Sequence, residues 1–298
     1  MRHGVIFLPE QRWASARQRW VRAEELGFDH AWTYDHLNWR WLREKPWFAT
    51  VPTLTAAATA TSRIQLGTLV ASPGNRHPVP FAKEVMTLDD ISEGRFICGI
   101  GAGAGGFDDE VLGQRPLGPR ERADRFAEFV ELTDRLLREP VTSYQGTHFT
   151  TTSAHLHPGC VQRPRVPIAV AAMGPRGIRL AARYADIWVT IVFPGHGEPY
   201  RYDAAVPTFR EQSARLDEEC ALIGRDPASI RRLVVTGARV DGVLESVETY
   251  RDACGLFGEA GVTDLVIHWP RPEFPYAGRE DVLDDIAASV LSPTVGAR

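Results

Sequence analysis

Gly4-Val5-Ile6-Phe7-Leu8, then residues 15–26, then Gly27-Phe28-Asp29, then His30-Ala31-Trp32-Thr33 follow one another near the start of the chain. The first and last pieces are short and apolar and read as strands. The stretch 15–26 is longer and amphipathic and reads as a helix. Gly27 suits the end of that helix because glycine tolerates positive φ. Strand, helix and strand in this order form a βαβ unit, with parallel strands and a right-handed crossover. The alternation continues outward. A helix over 48–60 precedes a strand over 64–69, and a helix over 79–91 precedes a strand over 96–100. A long helix over 120–137 carries Phe126, Phe129, Val130, Leu132, Leu136 and Leu137 close to helical spacing.

After Pro140 the pattern breaks. Residues 141–165 are rich in Thr, His, Gly and Pro, and 142–150 reads as a hairpin turning at Gln145-Gly146. This segment is read as an insertion. The alternation then resumes with a strand over 168–171, a helix over 176–184 and a strand over 187–189. A loop rich in Pro, Gly and Tyr covers 193–205. A helix over 206–223, a strand over 233–239, a helix over 247–260, a strand over 264–268 and a helix over 281–290 complete the series. Eight strands alternating with eight helices predict a (β/α)8 TIM barrel with an insertion after the fourth βα unit, forming a single domain over 1–298. An open doubly wound sheet is the competing solution, but the chain shows no natural split into halves.

Composition agrees with a globular chain. Of 298 residues, 44% are hydrophobic and 24% charged, which excludes disorder and fibres. The net charge of -4 offers no basic excess for a nucleic acid or an anionic membrane, so neither is expected as a partner. No apolar run approaches the ~18 residues of a membrane span, and the N-terminus has no signal pattern. Cys98, Cys160, Cys220 and Cys254 lack zinc or redox spacing. A cytoplasmic setting with reduced thiols and no metal is expected. His155 and His157 form a His-x-His pair, but inside the insertion, and no Gly-x-Ser-x-Gly elbow occurs.

In a barrel, chemistry sits where strands end and helices begin. The second strand runs into Tyr34-Asp35-His36-Leu37-Asn38-Trp39-Arg40-Trp41. An Asp beside a His there is a candidate acid/base or charge-stabilising pair, and the two tryptophans can floor a flat ligand. The plain alternative is an Asp capping a turn and a structural imidazole. The third strand leads into Gly67-Thr68-Leu69-Val70-Ala71-Ser72-Pro73-Gly74, an irregular turn that lets backbone approach a ligand. The fourth leads into Gly99-Ile100-Gly101-Ala102-Gly103-Ala104-Gly105-Gly106. Gly-x-Gly-x-Gly is a weak dinucleotide signal, and here the glycines read better as room for a large planar ligand. The fifth leads into Ala171-Ala172-Met173-Gly174-Pro175-Arg176-Gly177-Ile178. Free amides at a helix start, with an arginine beside them, suit a phosphate; simple capping is the alternative.

Taken together, these segments resemble the bacterial-luciferase-like family of flavin- and deazaflavin-dependent oxidoreductases. The matching pieces are Ala23-Glu24-Glu25-Leu26-Gly27-Phe28-Asp29, Asp35-His36-Leu37, Leu66-Gly67-Thr68-Leu69-Val70 and His77-Pro78. They continue with Thr87-Leu88-Asp89-Asp90-Ile91-Ser92-Glu93-Gly94-Arg95-Phe96, residues 99–103, and Ala181-Ala182-Arg183-Tyr184-Ala185-Asp186-Ile187-Trp188. The resemblance implies a planar redox ring across the barrel mouth, a phosphate near 174–177, a non-proline cis peptide at Leu69-Val70, and a homodimer. Asp35-His36-Leu37 looks like the deazaflavin branch, whose cofactor is coenzyme F-420 (F420) and whose matching histidine sits beside the hydride-transferring carbon.

The implied function is hydride transfer between a deazaflavin and a small-molecule organic substrate. One alternative is a two-component monooxygenase that uses flavin mononucleotide (FMN) supplied by a separate reductase. The other is a non-catalytic member that binds a flavin or a sugar phosphate. The expected catalytic pair is His36 with Asp35 orienting it. The expected cofactor contacts are Asp35, Leu69, Val70, Ala71, Gly101, Ala102, Gly103, Met173, Gly174, Pro175, Arg176 and Gly177. Trp39, Trp41 and Glu110 are expected in the substrate pocket, with the 141–165 insertion and the 193–205 loop around them. One departure stands out. The sugar-phosphate dehydrogenases of this branch carry a glutamate where this chain has Ala104, so Glu110 or Asp109 would have to replace that acid.

Overall fold

Eight parallel strands close on themselves in this computed structural model, which describes residues 1–103, 107–193, 199–237 and 239–291. The strands are β1 (Arg2–Phe7), β2 (His30–Thr33), β3 (Gln65–Thr68), β4 (Phe96–Gly101), β5 (Ile168–Ala171), β6 (Ile187–Thr190), β7 (Arg231–Val235) and β8 (Asp264–His268). Each pairs with its neighbours in sequence, and β8 returns to β1 from Asp264 against Arg2 to His268 against Ile6. The outer layer is α1 (Trp13–Glu25), α2 (Thr50–Ala60), α3 (Pro78–Ile91), α4 (Pro119–Arg138), α5 (Pro175–Tyr184), α6 (Tyr202–Leu222), α7 (Val247–Glu259) and α8 (Val282–Ser289). The expected TIM barrel is therefore present, and the helices enclose the sheet from outside. Among the described residues no helix is long and apolar enough to cross a membrane.

Side chains alternate along each strand, which divides the core in two. Ile6, Trp32, Ile97, Ala169, Ile187, Val189, Leu233 and Val266 fill the barrel. Val5, Ala31, Phe96, Cys98, Val170 and Trp188 face the helices. Trp32 fits inside only because β3 carries a glycine: a Cβ on Gly67 would stand 2.4 Å from the indole. At the N-terminal end Trp32 Nε1 donates to His30 Nδ1 at 2.7 Å, and His30 Nε2 donates to Asp264 Oδ1 at 2.9 Å. Arg231 also pairs with Asp264, and together His30 and Arg231 hold that carboxyl far below the usual carboxylate range. Burial pushes the His30 imidazole below its ordinary value, against the pull of Asp264. This polar layer ties β2, β7 and β8 together opposite the mouth.

The stretch from Asp89 to Arg95 joins separate parts of the wall. Asp89 is fully buried and accepts from Val161 N at 2.7 Å, Gln162 N at 3.0 Å and Gln162 Nε2 at 2.7 Å. It thereby anchors the exit of the insertion. Arg95 donates to the carbonyls of Ala58, Thr61, Ile64 and Ser92, which occupies the free C-terminal end of α2.

The structure moves some boundaries. The insertion is a hairpin of Val141–Gln145 and Thr150–His155. It docks on α4, where Glu128 accepts from the amides of Thr147, His148 and Phe149. The helix expected from 206 begins at Tyr202 and carries Pro207 within it. The strand expected over 233–239 ends at Val235, and Val240–Asp241 instead pairs with Tyr200–Arg201 in a short parallel ribbon. A short helix, Phe107–Val111, was not expected.

Asp89→Ala leaves two backbone amides without their acceptor, and should cost about 2–4 kcal/mol. Urea unfolding should show a lower midpoint with an unchanged slope; an unchanged midpoint would contradict the anchoring role.

Candidate active site

A cavity of about 700 Å³ opens at the C-terminal end of the barrel. Its floor is Leu69, Val70, Gly101, Ala102 and Gly103 with Val189, Val235, Thr236 and His268 beneath. Tyr34, His36, Trp39, Arg40 and Trp41 form one wall, and Tyr276 closes it. Met173, Gly174, Pro175, Arg176 and Gly177 form the opposite wall with Arg122, Ala123 and Phe126. The Leu69-Val70 peptide is cis, as the resemblance implies. Trp39 is buried, lies edge-on to Tyr34 and Trp41, and stacks on Trp47 and Tyr276. Trp41 is partly open at the rim.

His36 and Asp35 separate. His36 lines the cavity, but Asp108 holds it, with His36 Nδ1 donating to Asp108 Oδ2 at 2.7 Å. Asp108 also accepts from Leu37 N at 2.8 Å. A carboxylate only accepts, so the hydrogen sits on Nδ1 and Nε2 keeps its lone pair while the ring is neutral. Asp35 is 2% exposed and points the other way. Arg76 grips it with two bonds, Nη2 to Oδ1 at 2.7 Å and Nε to Oδ2 at 2.9 Å, and reaches Glu84 at 3.0 Å. Asp35 therefore does not orient His36, and it is not among the residues that line the cavity. In the loop after β2, Arg76 holds Asp35 while Asp108 holds His36 at the cavity.

Two other expectations fail. Ala71 is buried behind the floor, bonded through its backbone to Gly99 and Gly101. Glu110 turns outward to Arg43 at 3.1 Å, on the exposed flank. Among the described residues none from 141–165 lines the cavity, and none from 193–205 does. Residues 194–198 lie outside the described residues, as does Ala104.

At the wall of residues 173–177, Gly174 is the N-cap of α5, and no side chain caps its amides. A Cβ on Gly174 would meet nothing within 4 Å, so the helix start faces open space. Arg176 is not a free donor: it pairs with Asp124 and donates to Arg120 O at 3.3 Å. Arg122 also lines this wall.

The sequence reading missed a second polar group. Tyr34 Oη lies 2.7 Å from His268 Nε2 and 2.9 Å from Tyr276 Oη, and His268 Nδ1 lies 2.8 Å from Thr236 O. Burial pushes His268 down to about 3 and Tyr276 up to about 12. Tyr34 and His268 stand at strand ends, where the same search could have found them. Tyr276 sits in a turn with no local signal.

Residues 1–251 match the sequence model of the luciferase-like monooxygenases. The chain belongs to that family. A curated relative, the F420-dependent glucose-6-phosphate dehydrogenase of Beutenbergia cavernae, is 34% identical over an alignment covering 85% of this chain and 86% of that protein. The 5,10-methylenetetrahydromethanopterin reductase of Methanopyrus kandleri is 29% identical, covering 70% of this chain and 59% of that protein. The solved structure of the coenzyme F420-dependent tetrahydromethanopterin reductase of Methanopyrus kandleri superposes with a TM-score of 0.75 at 20% identity, covering 97% of both chains. The family barrel thus extends over almost the whole length of this chain.

A buried neutral histidine makes stability depend on pH. His268 is depressed to about 3 when folded, while a free histidine titrates near ~6.5. Between those values the unfolded chain binds the extra proton, so stability rises with pH and is lost as pH falls below ~6.5. His268→Asn should flatten that slope by up to about 1.4 kcal/mol per pH unit in urea titrations. An unaltered slope would show that His268 titrates normally in the folded state.

Proposed function

We propose that this chain is a deazaflavin-dependent oxidoreductase that moves a hydride between F420 and a small organic molecule at the barrel mouth. The observation that carries the reading is the pairing of a flat floor with an uncapped helix start inside one cavity. Leu69, Val70 and the run Gly101-Ala102-Gly103 make the floor. The open N-terminus of α5, with Arg122 beside it, makes the phosphate end. Its volume of about 700 Å³ suits a large ligand. The F420-dependent relative of Beutenbergia cavernae supports this cofactor over FMN.

When bound, F420 supplies a carbon that accepts or gives a hydride in a two-electron step. The protein supplies the surroundings. Val70 and the Gly101–Gly103 backbone would support the ring. His36, fixed by Asp108, would face the ring and, when Nε2 also carries a hydrogen, would donate it toward negative charge developing there. Trp39 and Trp41 would keep water from the substrate side. A sugar phosphate is not the substrate favoured here, because the acid of that subgroup is Ala104 in this chain and Glu110 points away from the cavity. A cytoplasmic homodimer belongs to the same reading; the four free cysteines accord with a reducing compartment.

Titrating the purified protein with F420 and separately with FMN tests the reading, using fluorescence. F420 should bind at least about tenfold more tightly, a difference of ~1.4 kcal/mol; the reverse order would favour the FMN monooxygenase alternative. In the F420-loaded protein, His36→Ala should lower turnover ~10²–10⁴-fold with cofactor affinity little changed. Undiminished turnover would remove His36 from the chemistry.

A further inference from the structure

We infer that Tyr276 takes the proton of a substrate hydroxyl, and that this site is built to oxidise an alcohol rather than to reduce a carbonyl compound. The inference rests on the deazaflavin reading above and assigns to Tyr276 the proton transfer that the reading leaves open.

Tyr276, Tyr34, His268 and Thr236 line the cavity in one hydrogen-bonded line. The direction of donation is fixed from its far end. The Thr236 carbonyl can only accept, so His268 Nδ1 carries the hydrogen. Nε2 of the neutral ring then has only a lone pair, and Tyr34 must donate to it. Tyr34 has one hydrogen, so its oxygen accepts from Tyr276. The Tyr276 hydrogen is thereby committed inward. Its oxygen offers the cavity lone pairs alone, and the partner it can receive is a hydrogen-bond donor. A hydroxyl qualifies and a carbonyl does not.

The step balances as follows. The carbinol C–H bond breaks and its electron pair leaves as hydride to the oxidised deazaflavin. The O–H bond breaks as C=O forms. The proton passes to Tyr276 Oη, the proton of Tyr276 to Tyr34 Oη, and the proton of Tyr34 to His268 Nε2. A hydroxyl losing hydride from its carbon is strongly acidic, so the weakly basic imidazole suffices. The resulting imidazolium keeps its Nδ1–H on Thr236. Reduction would need a hydrogen on Nε2 from the start, and burial keeps that ring neutral.

Packing holds the line in place. The rings of His268 and Tyr276 stack with centroids 3.5 Å apart at 7°. Gly237 has φ of 127°, and a Cβ there would stand 2.5 Å from His268 Nδ1. The charged groups that act on Tyr276 are Arg40, Arg271 and Arg239. All are cations and favour negative charge on its oxygen. His36 meets Tyr34 edge-on at 6.2 Å. Tyr276 is the catalytic residue, and Tyr34 and His268 act through it as positioning residues.

Two readouts test this. The first needs no cofactor: nitrogen-15 NMR of the histidine-labelled chain should show His268 as the neutral Nδ1–H tautomer near neutral pH. Tyr34→Phe should shift the Nε2 resonance, and Tyr276→Phe should leave the tautomer unchanged. An Nε2–H tautomer or a charged ring overturns the inference. The second uses the F420-loaded protein with 2-propanol, 2-butanol and cyclohexanol as probes, following loss of the oxidised cofactor's absorbance. At least one alcohol should be oxidised, and Tyr276→Phe should lower kcat ~10²-fold with KM nearly unchanged. Oxidation of none of the three, or an unaltered kcat in Tyr276→Phe, overturns it. Failure of the cofactor to bind would sink the deazaflavin reading, while the NMR result would still decide the direction of donation.

Discussion

The pairing of β8 with β1 is the contact on which the remaining geometry depends. From Asp264 against Arg2 to His268 against Ile6, it joins the two ends of the sheet and leaves no free edge. Closure brings the C-terminal ends of all eight strands to one rim. Residues that are distant in sequence thus become neighbours: Tyr34 follows β2, His268 ends β8, and their polar atoms are 2.7 Å apart. The same contact places Asp264 at the other end, where His30 and Arg231 share its charge. The barrel has a locked end and a reactive end, and one strand pair contributes to both.

At the reactive end, two carboxylates near His36 have different tasks because their surroundings differ. Asp35 is bound by a guanidinium through two bonds and is closed off from the cavity. It fixes the loop that carries Arg76 to the end of β2. Asp108 instead bonds to the imidazole and to the Leu37 amide. One carboxylate is structural and the other orients a ring that faces the ligand space. Charge-assisted bonds of this kind are strong enough to fix both conformations.

Much of the barrel could be read from the chain. Strands β2, β5 and β8 have the bounds expected, because each is a short segment whose residues are almost all buried, set between helices of clear periodicity. That Leu69, Val70, Gly101 and residues 173–177 line the cavity was legible for a related reason: a barrel opens its cavity directly after its strands. The partnership of His36 was not legible. Sequence adjacency suggested Asp35, whereas Arg76 holds that carboxylate and a residue 72 positions onward took the role. The pocket contents were also hard to foresee. The hairpin insertion was expected around the pocket, but Glu128 binds its turn against the flank of α4. Tyr276 reaches the mouth from a loop with no motif, and only closure of the sheet puts it beside Tyr34.

A crystal structure of the protein grown with F420 is the most direct test of the central claim, that one rim of this barrel holds a planar ring between the Leu69-Val70 floor and the His36 wall. The account predicts the ring against Val70 and Gly101–Gly103, its phosphate at the start of α5, and His36 still bonded to Asp108. A ring bound outside the rim, or a phosphate far from Gly174, would contradict it.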